Sequence, residues 1–148
     1  MFLNLTGNEY LKCIIQLYRQ DAVKSDETLK KLSIAFKLER SLNEYIANYS
    51  LGMKQKVYLM AAFLSGAGNL ILDEPFNGLD PESVAILKKL LAEYRNMGNL
   101  VLFSIHNLDL AANFCDDIVF IDKQRKVFQA ENPRDFKQLE NVFFQKCV

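Results

Sequence analysis

An α/β fold with a mostly parallel sheet, led by a purely helical segment, is what this sequence predicts. Two short apolar runs, Asn69–Leu72 and Leu100–Ser104, are too short for helices and have the length of buried strands. The stretches before and between them carry helix caps and a glycine stop, so helices and strands alternate from residue 53 onward. Residues 1–52 carry helical patterns only. With 148 residues, half of them hydrophobic, the chain is long enough to bury a substantial core.

Each element follows from local signals. Thr6-Gly7-Asn8-Glu9 has the pattern of a capping box, and Tyr10, Ile14, Leu17 and Tyr18 form a helical stripe behind it. Ser25 is placed to cap a second helix with Leu29, Leu32 and Phe36 on one face. Ser41-Leu42-Asn43-Glu44 repeats the capping-box pattern and predicts a short helix that delivers the chain to Tyr49 and Ser50. A helix over 53–65, containing the apolar segment Val57–Leu64, leads to a strand over 69–73. Asp80-Pro81-Glu82 starts the next helix, with proline in its favoured first position, and Gly98 ends it. Beyond the strand ending at Ser104 come a helix over 108–115 and strands over 117–122 and 126–129, joined at Lys123–Arg125. Asn132-Pro133 begins a final helix that runs to about Lys146.

Composition excludes several classes of function. Lys plus Arg number 18, as do Asp plus Glu, so no global field favours nucleic acid or an anionic membrane. Cys13, Cys115 and Cys147 are far apart and read as reduced thiols of a cytosolic protein, not as a metal site. The apolar run Val57–Leu64 is far too short to span a bilayer, and Met1 is followed by no basic signal region. Any membrane association therefore comes through a partner.

The chemistry concentrates at strand ends. Asp73 and Glu74 follow an uninterrupted apolar run and precede a turn at Pro75. In open α/β sheets, ligands bind at that end of the strands. One acid for a metal and one for a water is a layout suited to phosphate chemistry. Upstream, Ser50 and Gly52 open a helix whose N-terminus favours an anion. Lys54 and Lys56 in its first turns are unfavourable unless something negative lies nearby. A hydroxyl and a glycine there also make an ordinary helix cap, and both readings can hold. A lone histidine is more often structural, but His106 lies just past the end of the second strand.

Taken in order and spacing, these motifs resemble the nucleotide-binding subunit of ABC transporters over nearly the whole chain. Ser50-Leu51-Gly52-Met53 is similar to the signature motif, with Leu51 and Met53 in place of the more usual Gly and Gln. Leu70–Glu74 resembles the Walker B strand, Asn77-Gly78-Leu79-Asp80 the D-loop, and His106 the switch histidine. The signature run is closer to the drug- and peptide-exporter branch than to importers. The resemblance implies a P-loop NTPase-type sheet, with residues 1–52 as a helical subdomain and 53–148 as the C-terminal part of the ATPase core. It implies ATP and Mg²⁺ as cofactors, with Asp73 holding the metal and Glu74 as the base that orients and deprotonates water. His106 would contact the γ-phosphate and that carboxylate. Ser50, Leu51, Gly52 and Met53 would bind ATP held by a second nucleotide-binding subunit, and Asp80 would reach across the same dimer interface. The implied setting is cytoplasmic, peripheral to the membrane through a permease.

One motif of the family is not found. No G-x-x-x-x-G-K-[ST] occurs in the sequence, so the phosphate-cradling loop is lacking, and with it the Q-loop region. Residues 1–6 resemble the stretch just after the Q-loop, and the sheet is expected to be incomplete. The chain alone is expected not to hydrolyse ATP. Two alternatives stay open: a truncated, non-catalytic interaction module, and a non-transport ABC ATPase of DNA repair or translation. The compact stretch 4–52 shows no sustained heptads, which speaks against the repair type.

Overall fold

The structure is a computed structural model that describes residues 2–122 and 124–147, with the side chain of Cys147 outside the description. It resolves into two compact units, residues 1–104 and 105–148.

The first unit is organised on helix α3 (Leu51–Leu64), whose Val57, Leu59, Met60, Ala61 and Leu64 are buried. A helix apolar around most of its circumference has to be enclosed by neighbours. Helices α1 (Gly7–Leu17) and α2 (Ala22–Ala35) both pack on it. The predicted box at Thr6 forms: its hydroxyl accepts from the Glu9 N–H at 3.2 Å, and its own N–H donates to Glu9 Oε2 at 2.8 Å. The buried face of α1 is Gly7, Leu11 and Ile15, not the stripe through Leu17 and Tyr18, which are exposed. The i, i+4 row that includes a glycine lets α1 approach its neighbours closely, which the larger residues cannot do. Asp21, not Ser25, caps α2, accepting from the Lys24 N–H at 2.8 Å, while Ser25 lies buried inside the helix. The second predicted box also gives way. Residues 41–43 and 46–48 form two 3₁₀ turns, and Arg40 makes no side-chain cap. Tyr49 instead fastens this connection, its hydroxyl donating to the Ser41 carbonyl at 2.5 Å.

Strand β1 (Asn69–Leu72), helix α4 (Pro81–Asn96) and strand β2 (Leu100–Phe103) form a β-α-β unit in which β1 and β2 pair in parallel, from Asn69↔Leu100 to Leu72↔Phe103. Leu70 and Leu72 face the core, and Leu87 and Leu91 of α4 are buried. The expectation of fully buried strands is corrected: Ile71, Leu100 and Leu102 are exposed on the opposite face. A parallel sheet is normally covered on both sides, and the helices of this unit cover one.

In the second unit, α5 (Leu108–Phe114) leads into β3 (Asp117–Ile121), β4 (Val127–Glu131) and α6 (Phe136–Cys147). β3 and β4 pair antiparallel over Asp117↔Glu131 to Ile121↔Val127. Asp122 organises the turn by accepting from the Gln124 and Lys126 N–H groups at 2.7 and 2.8 Å. Lys123, expected in this turn, lies outside the described residues. Ala111, Ala112, Ile118, Phe120 and Leu139 make the core. Asn132 was expected to begin the last helix. Its amide instead donates to the carbonyls of Ala111, Ala112 and Cys115, closing the C-terminal end of α5, while Asp135 accepts from the Gln138 N–H at 2.8 Å where α6 begins. Cys13 and Cys115 are free thiols, and burial raises that of Cys115 above the usual range.

Gly7 supplies a test of the α1 packing. A methyl group there would meet the Tyr49 hydroxyl and lie 2.8 Å from Leu42 Cδ2. Although alanine is about 1 kcal/mol better than glycine in a helix, we expect Gly7→Ala to destabilise the protein by about 1–3 kcal/mol in urea denaturation, as overpacking does. A net gain in stability would show that Tyr49 and Leu42 yield.

Candidate functional site

The C-terminal ends of β1 and β2 bring three polar residues together. Ser104, one residue past β2, donates its hydroxyl proton to Asp73 Oδ1 at 2.5 Å and accepts the Glu74 N–H at 2.8 Å. The parallel register that pairs Leu72 with Phe103 fixes this, because it carries Asp73 and Ser104 out of the sheet at the same level. The ladder itself continues one step, with the Ser104 N–H donating to the Leu72 carbonyl at 3.0 Å.

Glu74 is not glycine, yet its φ is +44°, in the left-handed region. Such a residue costs about 1–3 kcal/mol and persists only where its surroundings over-determine it. Here they do. Ser104 holds its N–H, the Asn77 N–H donates to its carbonyl at 3.1 Å, and Gln55 Nε2 of α3 reaches that carbonyl at 3.5 Å and the next one, of Pro75, at 3.1 Å. Pro75 is fully buried, and Phe76 packs edge-to-face on Phe103 at 5.6 Å. The Glu74 backbone is thus set from β2 on one side and from α3 on the other, while its Oε1 is shielded from solvent.

The loop after Glu74 is closed onto the N-terminus of α3. Gly78 has φ +75°, and a methyl on Gly52 would stand 2.6 Å from its carbonyl oxygen. Glycine at 52 therefore permits a close backbone approach within this chain. Lys56 donates to Asp80 Oδ2 at 2.9 Å, and Asp80 also accepts from the Ser83 N–H and hydroxyl at the start of α4. Lys56 thereby finds the negative partner that its place near a helix N-terminus calls for. Its hydrogen bond, aided by Ser83, holds the Asp80 carboxyl far below the usual carboxylate range. Ser50 caps α3, accepting from the Met53 N–H at 3.2 Å, and stays exposed, as does Leu51 beside Gly78.

Asp73, Glu74, Ser50, Leu51, Gly52, Met53 and Asp80 thus fall within one unit, on a strand end and on the N-termini of α3 and α4. His106 belongs to the other unit, exposed just before Asn107, which caps α5 by accepting from the Leu110 N–H at 2.9 Å. Sequence reasoning passed over Ser104, Gln55 and the partner of Lys56. A hydroxyl at the first position past β2 was the one available signal for Ser104. Among the described residues, no group of three or more His, Cys, Asp and Glu side chains could cage a metal. One or two carboxylates at a strand end suit Mg²⁺, which takes most of its ligands from phosphate oxygens and water.

Comparison with known proteins adds lineage to this geometry. A family model described as "AAA domain, putative AbiEii toxin, Type IV TA system" matches residues 5–111. AlbC of Bacillus subtilis (strain 168), named "Putative ABC transporter ATP-binding protein AlbC", is 38% identical over 116 residues, 78% of this chain and 48% of AlbC. The ABC-type transporter ATP-binding protein EcsA of the same organism is 35% identical over 121 residues, 82% of this chain and 49% of EcsA. A solved structure of the ATP-binding subunit of an ABC transporter superposes with a TM-score of 0.88 at 29% identity, over 97% of this chain and 64% of that one. The chain spans about half the length of these two curated relatives. No helix among the described residues is long and apolar enough to cross a membrane.

Two measurements probe the junction of α3 with the loop. Gly52→Ala is expected to lose about 1–3 kcal/mol in urea denaturation despite the better helix propensity of alanine, because the clash is with a backbone oxygen. Unchanged stability would mean that the loop shifts freely. The Lys56–Asp80 pair should also show in pH dependence. A depressed carboxyl contributes stability that is present above its unfolded value of about 4 and lost as pH falls toward its folded value. The stability gap between wild type and Lys56→Met should therefore be full near pH 7 and narrow below about pH 4. A gap that stays constant down to about pH 2 would contradict this.

Proposed function

This chain belongs to the family that the AAA-domain model describes and is similar over most of its length to ABC transporter ATP-binding proteins, and on that premise we propose that it forms the catalytic-carboxylate and signature-motif part of a subunit that hydrolyses ATP to drive a membrane permease. The observation that carries this is the bond of Ser104 to both Asp73 and Glu74 at the ends of paired parallel strands. An acidic pair tied to the neighbouring strand at the ligand-binding edge of an α/β sheet, Asp73 through its carboxylate and Glu74 through its backbone N–H, suits phosphoryl transfer, since positioning and charge stabilisation make up most of its catalysis.

In this reading residues 1–52 are a helical subdomain and residues 53–148 belong to the ATPase core. Asp73 would hold Mg²⁺, which would supply charge neutralisation at the phosphates. Glu74 orients the attacking water and takes its proton, and the shielding of Oε1 favours a fixed carboxylate over a mobile one. His106 contacts the transferred phosphoryl group. The exposed cap Ser50, with Leu51, Gly52 and Met53, presents the N-terminus of α3 to ATP held by a second nucleotide-binding subunit, a geometry that suits an anion. Asp80 meets that partner as well, while Lys56 keeps it ionised. The subunit works on the cytoplasmic side of the membrane, attached through its permease.

The test uses the complete subunit. Glu74→Gln is expected to cut steady-state hydrolysis by about 10²–10⁴-fold, to leave ATP binding intact, and to accumulate an ATP-bound dimer on size-exclusion chromatography. Ser50→Arg is expected to abolish that dimer while each subunit still binds ATP. Wild-type turnover in Glu74→Gln would remove Glu74 as the base.

A further inference from the structure

We infer that Ser104 is a positioning residue for the reaction, a hydroxyl that aligns Asp73 and the Glu74 backbone as one unit; this rests on the reading of those two carboxylates given above. A serine hydroxyl has one proton and two lone pairs. The proton goes to Asp73 Oδ1, and a lone pair receives the Glu74 N–H. The direction of both bonds follows from the chemistry, because an N–H can only donate and an ionised carboxylate can only accept. The chain N–H···O–H···O⁻ runs one way, and hydrogen bonds in such a chain strengthen one another.

A purely stabilising role does not account for this arrangement. Ser104 is exposed, so water could satisfy each of its partners at little cost to the fold. What water could not supply is a tie to β2. Ser104 is anchored there by its own N–H bond to Leu72, one step past the Leu72↔Phe103 pair. The hydroxyl therefore transmits the register of the sheet to a residue that departs from ordinary backbone geometry, Glu74 at φ +44°. Gln55 and Asn77 hold the Glu74 carbonyl, whereas the Ser104 hydroxyl holds its N–H and so fixes the N-terminal side of that residue. Loss of the hydroxyl frees the Glu74 peptide to turn and the Asp73 carboxylate to swing.

Threonine and valine at position 104 have nearly the same shape and differ in the hydroxyl, so the pair isolates it. In the complete subunit, Ser104→Val should lower kcat for ATP hydrolysis by about 10- to 100-fold, the worth of a hydrogen bond to a charged group. Its equilibrium affinity for ATP, measured calorimetrically, should stay within about threefold of wild type, which marks an effect on positioning and not on ground-state binding. Ser104→Thr should restore kcat to within about threefold of wild type. A second readout is independent of turnover: amide hydrogen exchange at Glu74, followed by NMR, should be protected in wild type and Ser104→Thr and accelerated in Ser104→Val. If Ser104→Val retains kcat within about twofold while Glu74→Gln abolishes hydrolysis, the inference is overturned and the function proposed above stands. If Glu74→Gln keeps its turnover, the base assignment falls and the positioning of Glu74 falls with it.

Discussion

The enclosure of α3 sets the terms for the rest of the first unit. Its apolar residues leave almost no face that water could tolerate, so α1 and α2 must pack around it, and the chain arrives at its N-terminus through two tight 3₁₀ turns held by Tyr49. That delivery places Ser50, Gly52, Gln55 and Lys56 against the loop that follows β1. Gln55 reaches the carbonyls of Glu74 and Pro75, Gly52 admits the Gly78 carbonyl, and Lys56 meets Asp80. The first turns of one buried helix thus govern the loop over residues 73–80, which carries both a strand-end acid and a helix cap.

Within that frame the sheet contributes direction more than bulk. Two parallel strands of four residues each offer little area, but their register places Asp73 and Ser104 side by side. One face of the pair is packed and the other carries Ile71, Leu100 and Leu102 to the surface.

Much of this was legible in the residues. Strand boundaries at Asn69–Leu72, the proline-led start of α4 and the glycine stop at Gly98 follow from length, caps and φ preference, which are local properties. The capping box at Thr6 is local too, and it formed. The misreadings share a cause. The stripe chosen on α1, the cap assigned to Ser25 and the start of α6 at Asn132 each had a competitor that only tertiary packing could favour. Asn132 is the clearest case: an asparagine before a proline looks like a helix start, and here it serves the end of a different helix. At the site, the acidic pair and the signature-like run stood out because unusual residue types cluster there. Ser104 did not, since a serine after a strand is commonplace and its meaning lies in a partner thirty-one residues earlier.

Sequence separation has a further consequence, for the order in which the structure assembles. Ile121 and Val127 pair across a short turn that Asp122 holds, and such hairpins close in about 1–10 μs. The β1–β2 ladder joins residues separated by the whole of α4, a longer loop whose closure costs more entropy before any contact rewards it. Topology therefore sets the hairpin ahead of the parallel pair, although it comes later in the chain. The acidic pair acquires its geometry only when that slower ladder zips, so a chain caught midway would hold its helices and hairpin yet lack an aligned acidic pair.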